Sequence, residues 1–304
     1  MSKLLSGLGT RAAHPLAYLP LPQPVGVDCE IKDYQVLGSY NWLDAGKQSP
    51  TIVIPGQPRI WQEPILPLQL ALDQGYTFID QNAWRCRASP LEPIFRSIEV
   101  SQQVIGNTSF SLSELQADVV TDRNNLRKLS AMVGDMRSNA NLAPSKNREF
   151  RIDAQLAPNG RTLLLTRYSK ELRRMISHGG AGYGANFEHA TTISNPISLP
   201  NQGRRESGNF LPTSYHRIAR YSLAHLNLVV RYEVDAALGT PLIDGPHVST
   251  YMNTSSESKV ETRPDSTLHH FVSGSLVPQD RIMELKTSVS NKKLSWYDIS
   301  ALSP

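Results

Sequence analysis

The chain has 304 residues, of which 39% are apolar and 19% are charged; this excludes a largely disordered polypeptide and allows a sizeable buried core. Its net charge of +4 suits a polyanionic partner without identifying one. The two cysteines, Cys29 and Cys86, have no zinc-binding spacing and cannot form a disulfide framework, which indicates a reducing compartment, the nucleus or the cytoplasm.

The first 27 residues are predicted to form an N-terminal arm ahead of a single domain of residues 28–304. This segment has no acidic residue and carries Lys3 and Arg11, a composition that organelle transit peptides share. Its four prolines argue against the long amphipathic helix of such a peptide, so an ordered or frayed arm is favoured. No run of 18 apolar residues predicts a membrane span anywhere in the chain.

The first half of the domain is predicted to mix short strands and helices. Strands are predicted at 51–54, 76–79 and 118–121, and helices at 89–98 and 122–129. Ser89 is the expected N-cap of the first helix and Pro90 its first residue, where a missing N–H costs nothing. Arg123 and Arg127 share a face of the second helix near its start, where two guanidiniums could bind phosphate. Ordinary surface arginines explain the same spacing.

The middle of the chain is predicted to contain a hairpin, a helix and two insertions. Strands at 148–156 and 162–167 are joined by a proline–asparagine–glycine turn, and a short helix is expected at 169–176. Polar segments near 197–213 and 240–280 are predicted as insertions. On a strand expected at 214–222, Arg217 and Arg220 are candidates for RNA backbone contact, although a solvated strand edge is favoured for both.

Two segments carry the residues that point to chemistry. The stretch 226–238 alternates apolar and polar residues, which predicts a strand with one buried face and with Glu233 and Asp235 together on the other. The segment 281–287 is predicted as a second strand, with Glu284 and Lys286 on one face. If the strands lie side by side, their charges converge in the composition of a metal-dependent phosphodiesterase site. Ordinary cross-strand ion pairs on a solvated face are the alternative.

Four short motifs, in this order, resemble those of the decapping exoribonuclease (DXO) family, which has the PD-(D/E)XK nuclease fold. They are Val120-Thr-x-Arg123, Gly184-x-x-Phe-Glu188, Glu233-x-Asp235 and Glu284-x-Lys286. The run from Gly38 to Pro58 also resembles the amino-terminal part of fungal members of the DXO-like group. The resemblance implies an α+β fold with a central mixed β-sheet flanked by helices.

The resemblance also implies roles for the motif residues. Glu188, Asp235 and Glu284 would hold one or two Mg²⁺ or Mn²⁺ ions, and Glu233 would assist through water. Lys286 would orient the attacking water or stabilise developing charge, and Arg123 would bind the RNA phosphate. Arg127 is added as a substrate-binding residue from its spacing alone.

The implied function is metal-dependent processing of RNA 5′ ends: decapping, pyrophosphate or NAD-cap removal, and 5′→3′ trimming. The chain lacks the helix and strands that follow the Glu284-x-Lys286 motif in related nucleases. It is therefore expected to be an alternatively ended form or to receive its C-terminal cover from a protein partner. A catalytically inactive DXO-like binding or scaffold protein and a metal-dependent DNA nuclease remain as alternatives.

Overall fold

The computed structural model of the protein describes residues 29–44, 50–74, 76–106, 114–138, 150–169, 172–176, 182–194, 196–198, 209–239, 261–262 and 266–288. The predicted arm of residues 1–27 lies outside the described residues, as do 199–208 and 240–260 of the two predicted insertions. None of the helices in the described ranges is long and apolar enough to cross a membrane.

Strands and helices alternate irregularly along the chain. The strands are β1 (Ile31–Leu43), β2 (Thr51–Gly56), β3 (Ile60–Trp61), β4 (Tyr76–Ile79), β5 (Val119–Asp122), β6 (Arg151–Leu156), β7 (Leu163–Tyr168), β8 (Arg173–Ile176), β9 (Thr192–Ile193), β10 (Ile197–Ser198), β11 (Asn209–Phe210), β12 (Pro212–Leu223), β13 (Leu226–Val234), β14 (Ala236–Ala237), β15 (Glu261–Thr262), β16 (His269–Gly274) and β17 (Ile282–Met283). The helices are α1 (Gln81–Arg85), α2 (Glu92–Val104), α3 (Arg123–Ser138) and α4 (Gly184–Thr191), and a 3₁₀ turn covers Gln279–Arg281.

Nine strands form the main sheet, in the order β15-β16-β2-β1-β12-β13-β5-β7-β6. The central pairs β2–β1, β1–β12 and β12–β13 are antiparallel, whereas β13–β5, β5–β7 and β16–β2 are parallel. Ile94 and Ile98 of α2 join the buried cluster on one face of this sheet, and Leu126 of α3 packs against the cluster on the other face. The predicted α+β fold with a central mixed sheet flanked by helices is confirmed.

Strand β13 is buried on both faces, not on one as its alternating sequence predicts. Leu228 and Val230 are buried on one side, while Val229 and Arg231 are buried on the other. The reason is its place in the sheet, because β13 lies between β12 and β5 and has a helix over each face. Glu233, near the end of this strand, lines an open cleft.

Two local predictions are wrong. The segment expected to be a helix at 169–176 contains strand β8, which pairs antiparallel with β4. Helix α2 begins at Glu92, with Leu91 in place of Ser89 at its N-cap and no side-chain cap. In the first case a pairing partner almost 100 positions away outweighs local helix propensity.

Residues 266–274 belong to the core, although they fall within the stretch predicted as an insertion at 240–280. All six residues of β16 pair in register with β2, and Leu268 and Phe271 are buried. The insertion therefore does not extend over these residues.

Glycine is required at Gly274, where β16 leaves the sheet. Its φ is +90°, and a Cβ atom there would lie 2.1 Å from the carbonyl oxygen of Gly56 on β2. We expect Gly274→Ala to lower the free energy of unfolding by about 1–2 kcal/mol from backbone strain and by about 1–3 kcal/mol from the clash. Gly160→Ala is the matched control, since its φ is +68° but nothing lies within 4 Å of the added atom. Equal losses for the two variants in urea unfolding would contradict the clash.

Candidate active site

A small four-stranded sheet, in the order β17-β14-β3-β9, gathers the elements that carry the predicted acids. Strand β14 follows Asp235 directly, β17 leads into Glu284, and β9 follows the helix that bears Glu188. Strand β3 lies between β14 and β9 and pairs with both. The acids come from three distant parts of the sequence, and this sheet sets their relative positions.

The structure brings the four predicted acids into one electrostatic cluster. Burial, followed by repulsion from Asp235 and Glu188, raises the pKa of Glu233 to about 7, although solvent reaches this residue through a cleft. Burial and then Asp235 raise the pKa of Glu188. Burial also raises the pKa of Asp235, against a hydrogen bond that its Oδ2 accepts from the Leu285 N–H at 2.8 Å. Like charges that raise one another's pKa values favour binding of a cation.

Side-chain cations hold the acids in this arrangement. Lys286 Nζ lies 2.5 Å from Glu284 Oε1 and 3.7 Å from Asp235 Oδ2. Arg123 Nη2 lies 3.8 Å from Glu284 Oε2. Burial alone would lower the pKa of Lys286, but the contact with Glu284 raises it. Lys286 therefore stays charged between two of the carboxylates.

The segment that contains Glu284 and Lys286 is less regular than predicted. Strand β17 has only two residues, Ile282 and Met283, and pairs with β14 rather than with β13. Glu284 and Lys286 nevertheless contact each other, so the expected convergence with Asp235 occurs. The strand is short because its partner β14 is itself only two residues long.

An open cleft of about 580 Å³ adjoins the acid cluster at Glu233. Its lining consists of polar and charged side chains together with Tyr232: Asp80, Gln81, Asn82, Asp122, Arg123, Asn124, Arg127, Arg167, Ser214, His216, Arg231, Tyr232 and Glu233. The Arg123 guanidinium lies 5.8 Å from the ring centroid of Tyr232 and contacts Glu284, so it joins the cleft to the acids. Arg127 is exposed one helical turn further along the cleft. The volume lies within the range of small-molecule sites.

Arg167 was missed in the sequence and also lines the cleft, where its Nη1 lies 3.5 Å from Asp80 Oδ2. Arg167 ends a predicted hairpin strand, and an arginine at that place is common in hairpins of any function. Its position in the sequence therefore did not indicate a role in the cleft. Arg217, in contrast, was a candidate for RNA contact and is fully buried. Contact of Arg217 with RNA is therefore wrong, because β12 is a central strand and not a solvated edge.

A buried network forms the wall of the cleft behind Arg123. Arg231 is 2% exposed and donates to both oxygens of Asp122, at 2.6 and 3.0 Å. It also donates to the Tyr40 hydroxyl at 3.3 Å and to the Pro90 carbonyl at 3.0 Å. Asp122 immediately precedes Arg123, so this network fixes the point at which α3 begins.

His216 lies opposite Glu233 on the neighbouring strand and is buried. Its ring stacks on Tyr40 with 5.0 Å between centroids, and its Nε2 lies 3.1 Å from Ser214 Oγ. Burial, followed by the charge of Arg231, lowers the pKa of His216 to about 3. The imidazole is therefore neutral at neutral pH and acts as a hydrogen-bonding wall of the cleft.

The low pKa of His216 makes stability depend on pH. As the pH falls, His216 takes up a proton in the unfolded chain before it does so in the folded protein. Its contribution to stability is therefore fully present above its ordinary pKa of 6.5 and is lost progressively as the pH falls from 6.5 to about 3. When the pH falls from about 7 to about 5, the native protein should lose stability because of His216, and His216→Gln should not. In urea unfolding, the decrease in the free energy of unfolding over this range should therefore be about 2 kcal/mol smaller for His216→Gln than for the native protein. A His216→Gln curve parallel to the native one would contradict the assignment.

The donor chemistry of the acid cluster fits a hard divalent cation, because carboxylate oxygens are the ligands that Mg²⁺ and Mn²⁺ prefer. Within the described ranges, however, no group of three or more Asp, Glu, His or Cys side chains is already arranged to hold a metal ion. Lys286 and Arg123 engage Glu284 instead. Glu188, Asp235 and Glu284 thus fit a metal by chemistry, while their present arrangement is an ion-paired one.

Comparison with known proteins gives similar solved structures and one family. No curated protein matches the sequence. The chain is similar to Candida albicans Rai1 in complex with pU5-Mn2+, at 14% identity and a TM-score of 0.40, over 75% of this chain and 59% of that chain. It is also similar to S. pombe Rai1 in complex with 3'-FADP, at 10% identity and a TM-score of 0.34, over 71% of this chain and 57% of that chain. The chain thus spans less than two thirds of the length of these structures.

The family assignment covers nearly the whole chain. A model described as a domain of unknown function, DUF8563, matches residues 24–299, which include every residue of the candidate site. The chain belongs to the DUF8563 family.

Proposed function

We propose that this protein is a divalent-metal-dependent hydrolase that acts at RNA 5′ ends, as the DXO-like motifs imply. The observation that carries the proposal is the convergence of Glu188, Glu233, Asp235 and Glu284 beside Lys286, at the mouth of the cleft that contains Arg123. The proposed reactions are decapping, pyrophosphate or NAD-cap removal, and 5′→3′ trimming.

In this proposal the residues of the site have three roles: metal binding, phosphate binding and orientation of the attacking water. Glu188, Asp235 and Glu284 would hold Mg²⁺ or Mn²⁺, which when bound lowers the pKa of a coordinated water and offsets phosphate charge. Arg123 binds a phosphate oxygen from the cleft side, where it can reach both the cluster and the substrate. Lys286, once released from Glu284, orients the attacking water or stabilises charge that develops on the phosphate.

The remaining cleft residues bind and orient the RNA. Arg127 is exposed along the cleft and contributes a second positive charge for the backbone. Asn82 and Ser214 offer amide and hydroxyl groups that can bind the sugar or the base. Because only RNA has a 2′-hydroxyl, such contacts separate an RNA enzyme from the alternative of a DNA nuclease.

A cleavage assay tests the proposal. Purified protein is incubated with 5′-triphosphate, NAD-capped and unmethylated-cap RNAs, in Mn²⁺ or in EDTA, beside DNA strands of the same sequence. Release of a 5′ product from RNA in Mn²⁺ only is the expected result. Cleavage of DNA at an equal rate would support the DNA nuclease instead.

A second candidate function is binding without turnover, and a specific observation favours it. Lys286 and Arg123 both engage Glu284, and the described residues hold no ready-formed group of three metal donors. A non-catalytic DXO-like protein would keep such an ion-paired site permanently. Thermal unfolding with and without Mn²⁺ separates the two functions, because only a metal-binding site raises the melting temperature with Mn²⁺ concentration.

A further inference from the structure

Arg59 lies between two of the elements that carry the acids. It directly precedes β3, the strand that pairs with both β14 and β9. Its main-chain carbonyl accepts a hydrogen bond from the Ala237 N–H at 2.8 Å, two residues beyond Asp235. The backbone of Arg59 is thus fixed to β14, the strand that directly follows Asp235.

The side chain of Arg59 is fixed to the other element, helix α4. Its Nε donates to Thr192 Oγ1 at 2.5 Å, and its Nη2 donates to the Thr192 carbonyl at 3.3 Å. Thr192 is the C-cap residue of α4, and its hydroxyl donates in turn to the Glu188 carbonyl at 2.6 Å. A continuous hydrogen-bonded path therefore joins β14 to the backbone of Glu188 through Arg59.

Arg59 lies next to the acids. It is half-buried and lines a small cavity of about 40 Å³ together with Glu188, Glu233 and Asp235. A space of this size holds a water molecule and no part of a nucleotide. Arg59 does not line the adjoining 580 Å³ cleft. Its hydrogen bonds through Thr192 connect it to the backbone of Glu188.

The opposite end of α4 provides a comparison. The Asp73 carboxylate accepts hydrogen bonds from the Ala185 N–H at 3.1 Å and the Asn186 N–H at 2.9 Å. Asp73 thus caps the first turn of the helix but makes no hydrogen bond to β14 or β3 within the described residues. A change at Asp73 loosens the helix itself, whereas a change at Arg59 breaks the connection of the helix to β14.

We infer that Arg59 is a positioning residue that sets the separation of Glu188 from Asp235 and so prepares the acid cluster to bind a divalent cation. The inference rests on the proposed function in taking these two residues as metal-binding acids. Partners that orient metal ligands without touching the metal typically contribute 10- to 100-fold in metal affinity.

The test measures Mn²⁺ binding alone, by calorimetry on the full chain without RNA. Arg59→Met is expected to raise the Kd for Mn²⁺ by about 10- to 100-fold. Arg59→Lys keeps the charge but lacks the planar fork that bonds twice to Thr192, so it should bind nearly as weakly as Arg59→Met. Asp73→Asn is the matched control for a loosened helix and should change the Kd by less than about 5-fold, since it leaves the path through Thr192 intact.

Two results would overturn the inference while leaving the proposed function standing. One is native Mn²⁺ affinity in Arg59→Met, and the other is full recovery in Arg59→Lys, which would reduce the role of Arg59 to its charge.

If the native protein itself binds no Mn²⁺, the proposed function fails. Amide hydrogen exchange of metal-free protein then decides the positioning role. Arg59→Met should speed exchange in the last turn of α4, whereas Asp73→Asn should speed exchange in the first turn. Unchanged exchange at Thr191 in Arg59→Met would overturn the positioning role.

Discussion

Asp122→Asn is expected to lower the free energy of unfolding by about 3–5 kcal/mol. The variant keeps the volume of the side chain but removes the charge that compensates Arg231. That guanidinium is 2% exposed and donates to both Asp122 oxygens. In the native protein burial alone would lower the pKa of Arg231, but Asp122 raises it. Because arginine does not deprotonate in proteins, Arg231 remains charged in the core after the change.

Urea unfolding measures this loss, and two further variants isolate its cause. Asp153→Asn breaks an equally short pair with Arg151, but Asp153 is 48% exposed, so less than about 1 kcal/mol is expected. Adding Arg231→Met to Asp122→Asn removes the uncompensated charge and should restore part of the lost stability. Equal losses in Asp122→Asn and Asp153→Asn, or additive losses in the double variant, would show that the buried pair is not the source.

The same ion pair shows why sequence patterns describe this protein only in part. Arg231 lies on the polar side of an alternating strand, and alternation predicts a solvated arginine there. Its partner Asp122 is 109 positions away on β5, and nothing in either segment signals the pair. Glu233 and Asp235 line the same small cavity, although β13 ends at Val234 and the predicted strand continues to residue 238.

Strand β1 is an element that the sequence pattern did not predict. Among the described residues it is the longest strand, yet its sequence shows no alternation, because residues 37–43 are buried on both faces and include the polar Ser39 and Asn41. Three register shifts against β12 disturb the period further. Ser39 and Asn41 are tolerated in the core because each finds a backbone carbonyl, of Pro55 and Ser214 respectively. Such pairings exist only in the folded chain.

The small sheet that assembles the site was also beyond prediction. Its four strands have two residues each, too few for any periodicity to be visible. Motif order could suggest that Glu188, Asp235 and Glu284 meet, but not that Ile60 of β3 lies between them. Arg59 has no motif at all, and its role emerges only from the two elements that it connects.

Glu284→Ala is expected to reduce metal-dependent release of a 5′ product by at least about 100-fold while leaving the fold intact. Loss of groups that merely orient a metal ligand typically costs 10- to 100-fold, and Glu284 is proposed to bind the metal itself. The variant also frees Lys286 and Arg123 from their shared partner. Stability should change little, because Lys286 is 51% exposed and such ion pairs contribute about 0–1 kcal/mol.

Electrostatic repulsion within the cluster strengthens the expectation of an intact fold. Glu284 is among the charges that raise the pKa values of Glu188, Glu233 and Asp235, so its removal relieves unfavourable contacts in the metal-free protein. Sites that hold like charges for function commonly lower stability. The melting temperature of Glu284→Ala without metal should therefore equal or exceed the native value, and its increase with Mn²⁺ should disappear.

Asp280→Asn is the control for this experiment, since it removes a carboxylate from an exposed position four residues earlier. It should keep both the native rate and the native response to Mn²⁺. A folded Glu284→Ala protein that releases product at the native rate would remove the proposed metal site. If both proteins are inactive but native protein still gains stability from Mn²⁺ and Glu284→Ala does not, the acids bind metal without turnover. That outcome would favour a protein that binds metal without hydrolysing RNA. If Mn²⁺ stabilises neither protein, the permanently ion-paired site is favoured, with Lys286 and Arg123 as the counterions of Glu284.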